Sequence, residues 1–395
     1  TRWSRPCSPR SDYLTEAGLT SKMPTPDAQN SATPLVSVAM ITYNHRAYFQ
    51  KSVEAVMAQR VNFPFEFVIG EDCSTDGTRE VAFEMQHRYP NVIRLITSEK
   101  NVGSHANAKR VDQACRGKYV AYCEGDDFWN DSTKLAKQVA FLQSRPGYVM
   151  VHSHCHRYLV ASRRLLTNSL TVPTELDDTK AYEDILMGRR NPLTVSVMAR
   201  RDAVQSVLEN CPECTDLKWP MGDTQRWLEL ARLGSVGCIH EPLATTNVLP
   251  ESAGQSTNPQ KRLKFYMAAR ELHLHYLRKY AVDPELDRRV RERLALILLQ
   301  HAYIARDPVV AQKMYDAFVE ADGRSRSRAA CLLWGSRSKL RAKTVRPLIK
   351  MEEFWRRGMT RLKRAIANPA ASSTPSKELS RSSANPQRKD DEVAR

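Results

Sequence analysis

From Leu35 onward the chain alternates short apolar runs with segments whose apolar residues recur at helical spacing. Leu35 to Ile41 is the first such run, and Phe49, Val53, Val56 and Met57 then repeat with the period of a helix face. Phe65 to Ile69 is again strand-like, Thr78 to Tyr89 helical and Val92 to Ile96 strand-like. Ala106 to Cys115 reads as a helix and Lys118 to Cys123 as a strand. This alternation predicts βαβ units and a three-layer α/β domain whose central sheet is mostly parallel. Leu135, Val139 and Leu142 mark a further amphipathic helix, and Tyr148 to Tyr158 a further strand. From about Lys261 to Ala367 the pattern is dominated by helices, with Leu294, Ile297, Leu298 and His301 in one of them.

Composition sets the boundaries. Residues 1–33 and 368–395 are rich in Ser, Thr, Pro and Asn with few large apolar residues, and are expected to be disordered tails. Between them lie the α/β domain, 34–256, and a basic helical extension, 257–367. The chain starts at Thr1 rather than Met, which is compatible with a processed or truncated N-terminus. Neither a secretion signal nor an apolar run of about 18 residues is evident. The nine cysteines form no framework spacing, which fits a reducing compartment. Cys211-Pro212-Glu213-Cys214 has no second pair to make a zinc site, so it reads as a loop.

Charge is uneven. The formal net charge is +16, and the stretch from Arg324 to Arg364 holds 14 Lys or Arg against Glu352 and Glu353. Trp334, Phe354 and Trp355 interleave with these cations as they would in an interfacial helix, so an anionic membrane surface is the expected partner of residues 324–364. A solvated helical surface that binds nothing is the alternative.

The chemistry gathers at strand ends. Tyr119 to Cys123 runs directly into Glu124-Gly125-Asp126-Asp127, and acids crowded in this way raise one another's pKa unless a cation compensates them. In an open α/β sheet that position lies where ligands bind. Thr42-Tyr43-Asn44 ends the first strand and Glu71-Asp72-Cys73-Ser74-Thr75-Asp76-Gly77-Thr78 the second, each offering small polar groups at a strand-to-helix junction. Ser74 or Asp76 could equally be a helix cap, as could Asp223 in Trp219-Pro220-Met221-Gly222-Asp223. His152, His154 and His156 share one face of a strand and read as polar lining of a half-buried strand rather than as metal ligands.

Taken together, Thr42-Tyr43-Asn44, Glu71-Asp72-x-Ser74-x-Asp76-Gly77-Thr78, Glu124-Gly125-Asp126-Asp127-Phe128-Trp129 with Lys134-Leu135-x-Lys137-Gln138, and Gly222-Asp223 resemble the family 2 glycosyltransferases over roughly Pro34 to Ser256. The resemblance implies the GT-A fold and a metal-dependent, inverting transfer of sugar from a nucleoside diphosphate sugar, a UDP-sugar by default, to a hydroxyl of a glycan or lipid-linked acceptor. It implies that Thr42 and Asp72 line the base pocket with Tyr43, Asn44 and Glu71 beside them. It further implies that Asn107 and Lys109 contact the donor, Asp126 the ribose and diphosphate, Asp127 a Mn²⁺ or Mg²⁺ ion, and that Asp223 is the catalytic base. Cell-surface polysaccharide or lipopolysaccharide synthesis is the implied setting, and the expected location is cytoplasmic, peripheral on the inner face of the membrane. Glu71 stands where the family commonly has Asp, and Thr245-Thr246-Asn247 where many relatives carry a Tyr-Arg-x-His-like segment. The competing readings are a catalytically silent sugar-nucleotide binder and a basic nucleic-acid-binding protein; the second leaves the acidic strand ends unexplained.

Overall fold

The computed structural model describes residues 33–170, 176–215, 219, 221–250, 254, 256–321, 326–338, 341–345 and 347. The expected tails, apart from Thr33, and most of the basic stretch 324–364 lie outside the described residues.

The first half follows the alternation of its sequence: β1 Val36–Thr42, α1 Arg46–Met57, β2 Phe65–Glu71, α2 Thr78–Arg88, β3 Ile93–Ile96, α3 Ser104–Ala114 and β4 Tyr119–Tyr122. A two-residue strand β5 Phe128–Trp129, helix α4 Lys134–Gln143, the long β6 Tyr148–Leu159 and β7 Arg164–Leu170 come next. Then follow α5 Ala181–Leu186, β8 Met198–Arg200, α6 Arg201–Asn210, α7 Gly222–Leu233 and β9 Ser235–Val248. Four helices complete the described chain: α8 Pro259–Lys279, α9 Pro284–Ala305, α10 Pro308–Glu320 and α11 Arg326–Ser336.

One sheet carries all nine strands, in the order β3-β2-β1-β4-β8-β6-β9-β5 with β7 paired to β6. It is parallel across β3, β2, β1 and β4. Beyond β4 it becomes mixed, because β8 runs antiparallel to both β4 and β6 while β6 and β9 are parallel. The strand order reverses between β1 and β4: β2 and β3 are added on one side of β1, and the next crossover lands on the other. A crevice opens at the carboxyl ends of strands at such a reversal.

Period-two alternation divides the sheet residues between two cores. Val38, Met40, Phe67 and Ile69 meet Phe49, Val53 and Val56 of α1, Val81 and Met85 of α2, and Leu135, Val139 and Leu142 of α4. Ala39, Val68, Val120 and Tyr122 meet Trp227, Leu228 and Leu230 of α7 on the opposite face. Phe49, Val53 and Val56 are all 0% exposed, and full burial stabilises each by about 1.5–3 kcal/mol over exposure. The helices after residue 257 do not stand apart from this core: Leu272, Tyr276 and Leu277 of α8 and Leu286 and Val290 of α9 belong to it. The far side of α8 and α9 packs with α10 and α11 in a smaller cluster around Leu263, Leu298, Leu299 and Phe318. Asn258, Asp283 and Asp307 each cap the helix that follows, with Pro259, Pro284 and Pro308 at its first position. Among the described residues no helix is long and apolar enough to cross a membrane.

Candidate active site at the carboxyl ends of β1 and β4

A cavity of about 230 Å³ lies at the strand-order reversal, lined by Ala39 and Ile41 of β1, Tyr122 and Glu124 at the end of β4, His105 of α3, and Asp223, Arg226 and Trp227 of α7. β4 ends at Tyr122, and Gly125 N–H then donates to Ile41 C=O at 3.0 Å, turning the acidic motif over the end of β1. A side chain at Gly125 would come within 2.5 Å of Thr42 Oγ1, so only glycine lets the two segments approach this closely.

Three carboxylates follow that turn, and Asp223 adds a fourth from the first turn of α7. Glu124 is pushed well above the usual carboxylate range, chiefly by burial, then by the charges of Asp127, Asp126 and Asp223, with Arg226 pulling it back. Asp127 is raised in the same way by burial and by Asp126. Asp223 is not a helix cap: its Oδ1 accepts the Thr224 N–H at 2.6 Å, and it faces the cavity. Arg226, one turn further along α7, is paired with the buried Asp112 at 2.9 Å. Asp112 also accepts the Tyr122 hydroxyl at 3.1 Å. This buried ion pair fixes the back wall of the cavity between α3, β4 and α7.

Asp127, onto which the resemblance reads the metal contact, is held from one side by the chain. Asp127 is 5% exposed, and its carboxylate accepts the Asn247 N–H at 2.8 Å and a bond from the Thr246 side chain. Asn247 Nδ2 also donates to the Asp126 carbonyl oxygen. β9, paired to β5 through Phe128 with Thr245 and Trp129 with Ala244, thus closes one side of the motif. Asp126 is half-buried. An all-oxygen, carboxylate-rich set of this kind suits Mg²⁺ or Mn²⁺, ions that complete their shells with water and substrate phosphates.

The other residues named from sequence separate into two groups. Thr42 is buried with Oγ1 3.3 Å from His45 Nδ1, and Tyr43 is exposed. Asp72 accepts the N–H groups of Val102 and Gly103 at 2.8 and 2.9 Å, tying the start of α3 to the end of β2. Asn44, in the left-handed region at φ 56°, braces the loop after β2 by accepting the Thr75 N–H. Lys109 is half-buried and does not line the cavity.

Glu71 and Asn107 serve as internal struts. Glu71 is fully buried, with Oε1 accepting the Ser74 N–H and Oε2 the Arg79 Nε–H, both at 2.6 Å. Asn107 donates to the Gly70 carbonyl and accepts from Arg110 Nε, both at 2.8 Å. Replacing Asn107 with Ala is therefore expected to lower the unfolding free energy by about 1–3 kcal/mol, the penalty for stranding buried partners. Urea denaturation checks this, and a selective loss of ligand affinity at unchanged stability would contradict it. Asp76 is not the N-cap, which is Gly77 for α2 and His45 for α1, but it accepts the first N–H of both helices, Thr78 N–H at Oδ1 and Arg46 N–H at Oδ2.

Sequence reasoning passed over His105, Asp112, Arg226 and Asn247. Arg226 was detectable, since it lies three residues after Asp223 and shares its helix face. Asn247 was not, because only the fold brings it across 120 residues to Asp127.

Comparison with known proteins agrees with this geometry. Residues 37–199 match the family described as Glycosyl transferase family 2. An uncharacterized protein of Mycobacterium tuberculosis is 44% identical over 111 residues, 28% of this chain and 32% of that one. The putative teichuronic acid biosynthesis glycosyltransferase TuaG of Bacillus subtilis is 35% identical over 113 residues, 28% of this chain and 43% of that one. The chain thus matches about a third to under half of the length of these relatives. Among solved structures, S. aureus TarS 1–349 in complex with UDP-GlcNAc superposes with a TM-score of 0.53 at 17% identity, over 82% of this chain and 92% of that one, and so shares its fold.

Proposed function

We propose that this chain, whose residues 37–199 match the family 2 glycosyltransferases, transfers a sugar from a nucleoside diphosphate sugar to an acceptor hydroxyl with inversion at the anomeric carbon. The observation that supports the reading is the placement of Asp223 across one cavity from Glu124, the first acid of the turn that continues to Asp126 and Asp127.

In this reading the diphosphate lies at the acidic turn and Asp126 holds the divalent ion, with Glu124 beside it. Mn²⁺ or Mg²⁺, when bound, supplies Lewis-acid stabilisation of the charge that grows on the leaving diphosphate. Asp127 and Asn247 position that turn. Thr42, Tyr43 and Asp72, at the ends of β1 and β2, would face the nucleotide. Asp223 takes the proton of the acceptor hydroxyl as its oxygen forms the new bond to the anomeric carbon and the carbon–oxygen bond to the diphosphate breaks. Arg226 keeps the cavity wall positive while that proton moves.

The complex of TarS with UDP-GlcNAc favours a UDP-sugar as donor, and the printed role of TuaG in teichuronic acid biosynthesis favours a cell-surface glycan or its lipid-linked precursor as acceptor. The basic stretch 324–364 would hold the enzyme at an anionic surface carrying such an acceptor. Slow release of UDP from a UDP-sugar, present with Mn²⁺ and abolished by EDTA, tests the reading. Release that is indifferent to EDTA would contradict its metal dependence.

A further inference from the structure

We propose that His154, Cys238 and His240 form a zinc site joining β6 to β9, separate from the acidic turn. Their ligand atoms all lie within 4.8 Å of one another. His154 Nε2 and His240 Nδ1 are 3.2 Å apart with the rings nearly perpendicular, at 82°. Two imidazole nitrogens bound tetrahedrally to one Zn²⁺ stand about 3.3 Å apart, given Zn–N bonds of about 2.0–2.1 Å. The spacing of the two rings is therefore already that of a shared ion, and the thiol completes a nitrogen and sulfur set that selects zinc over the hard ions suited to carboxylates.

A second observation comes from the next residue inward on the same face. His152 is 1% exposed, sits opposite Cys238 in the β6/β9 register, and neither of its ring nitrogens meets a hydrogen-bond partner. Such a buried, unpartnered imidazole flanks the His/Cys set, and water would fill the fourth position on the ion. The sequence showed His152, His154 and His156 as a single-strand face. The fold replaces His156 with two residues from β9.

The location gives the site a task. The β6/β9 ladder is irregular at this point, stepping from Ser153 opposite Ile239 to His154 opposite Pro242. Past that bulge β9 runs on to Asn247, whose N–H closes Asp127. An ion held by His154, Cys238 and His240 pins both strands at the bulge and so fixes where the end of β9 meets the acidic turn. Binding displaces the Cys238 thiol proton, and no redox step is involved.

The test is a Co²⁺ titration of the full chain, stripped with EDTA and kept reduced. A tetrahedral Co²⁺ spectrum with a thiolate charge-transfer band is expected, displaced by Zn²⁺ and not by Mg²⁺. The band should vanish in Cys238→Ser, survive in Cys214→Ser, which tests the other cysteine cluster, and survive in Asp126→Asn, which disables the donor site. His240→Ala, at an exposed position, should weaken Zn²⁺ binding by more than roughly tenfold, since losing even an outer partner of a ligand costs that much. Absence of any thiolate band, or a band that persists in Cys238→Ser, would overturn the site without touching the transferase reading.

Discussion

Replacing Asp223 with Asn is expected to lower turnover by roughly 10²–10⁴-fold, the usual contribution of a positioned general base, while the affinity for the donor stays at the wild-type level. The substitution keeps the shape of the side chain and its acceptance of the Thr224 N–H, so the start of α7 is preserved. It removes only the ability to hold a proton. Initial rates with a transferred sugar, set beside donor binding measured separately, resolve the two effects. Equal losses in both would show that Asp223 serves binding, and an unchanged rate would remove it from the chemistry.

The second large effect is expected at Asp126. Asp126→Asn should abolish the dependence of donor binding on Mn²⁺ and weaken Mn²⁺ binding by at least roughly 10- to 100-fold, since disturbing only an outer-shell partner already costs that much. The same exchange at Asp127 should act differently, because an Asn there still accepts Asn247 N–H through its Oδ1 and the turn stays closed. Asp127→Asn is therefore expected to leave Mn²⁺ affinity near the wild-type level. Mn²⁺ titration followed by electron paramagnetic resonance separates them. Full retention of Mn²⁺ affinity in Asp126→Asn, with its loss in Asp127→Asn, would return the ion to Asp127.

The two variants also mark where the sequence stopped being readable. β1, β2, β4 and their helices were legible because each is long enough to show its own period, two or 3.6, and each lies between polar breaks. β8, at three residues from Met198 to Arg200, is too short to show a period. β9 is broken as a pattern by Glu241 and Pro242, although it runs from Ser235 to Val248. Losing β9 meant losing Asn247, and with it the reason Asp127 is closed off. Glu71 and Asn107 show a related limit: residue type and position at a strand end or helix start suggest a donor contact, and their bonds to Arg79, Gly70 and Arg110 become visible only once β2 and α3 are packed. That Asp223 lines one cavity with Glu124 could be expected only because the acidic turn was already in view, since a lone Asp at a helix start means little without it.

The central claim is that the carboxylates gathered at the ends of β4 and α7 recognise a sugar nucleotide through a divalent ion. Its most direct test is calorimetric titration of UDP-sugars into the full chain, once with Mn²⁺ and once with EDTA. Saturable binding of one UDP-sugar that requires Mn²⁺ is the result this account predicts. Binding of equal strength in EDTA, or none to any nucleoside diphosphate sugar with the metal present, would contradict it.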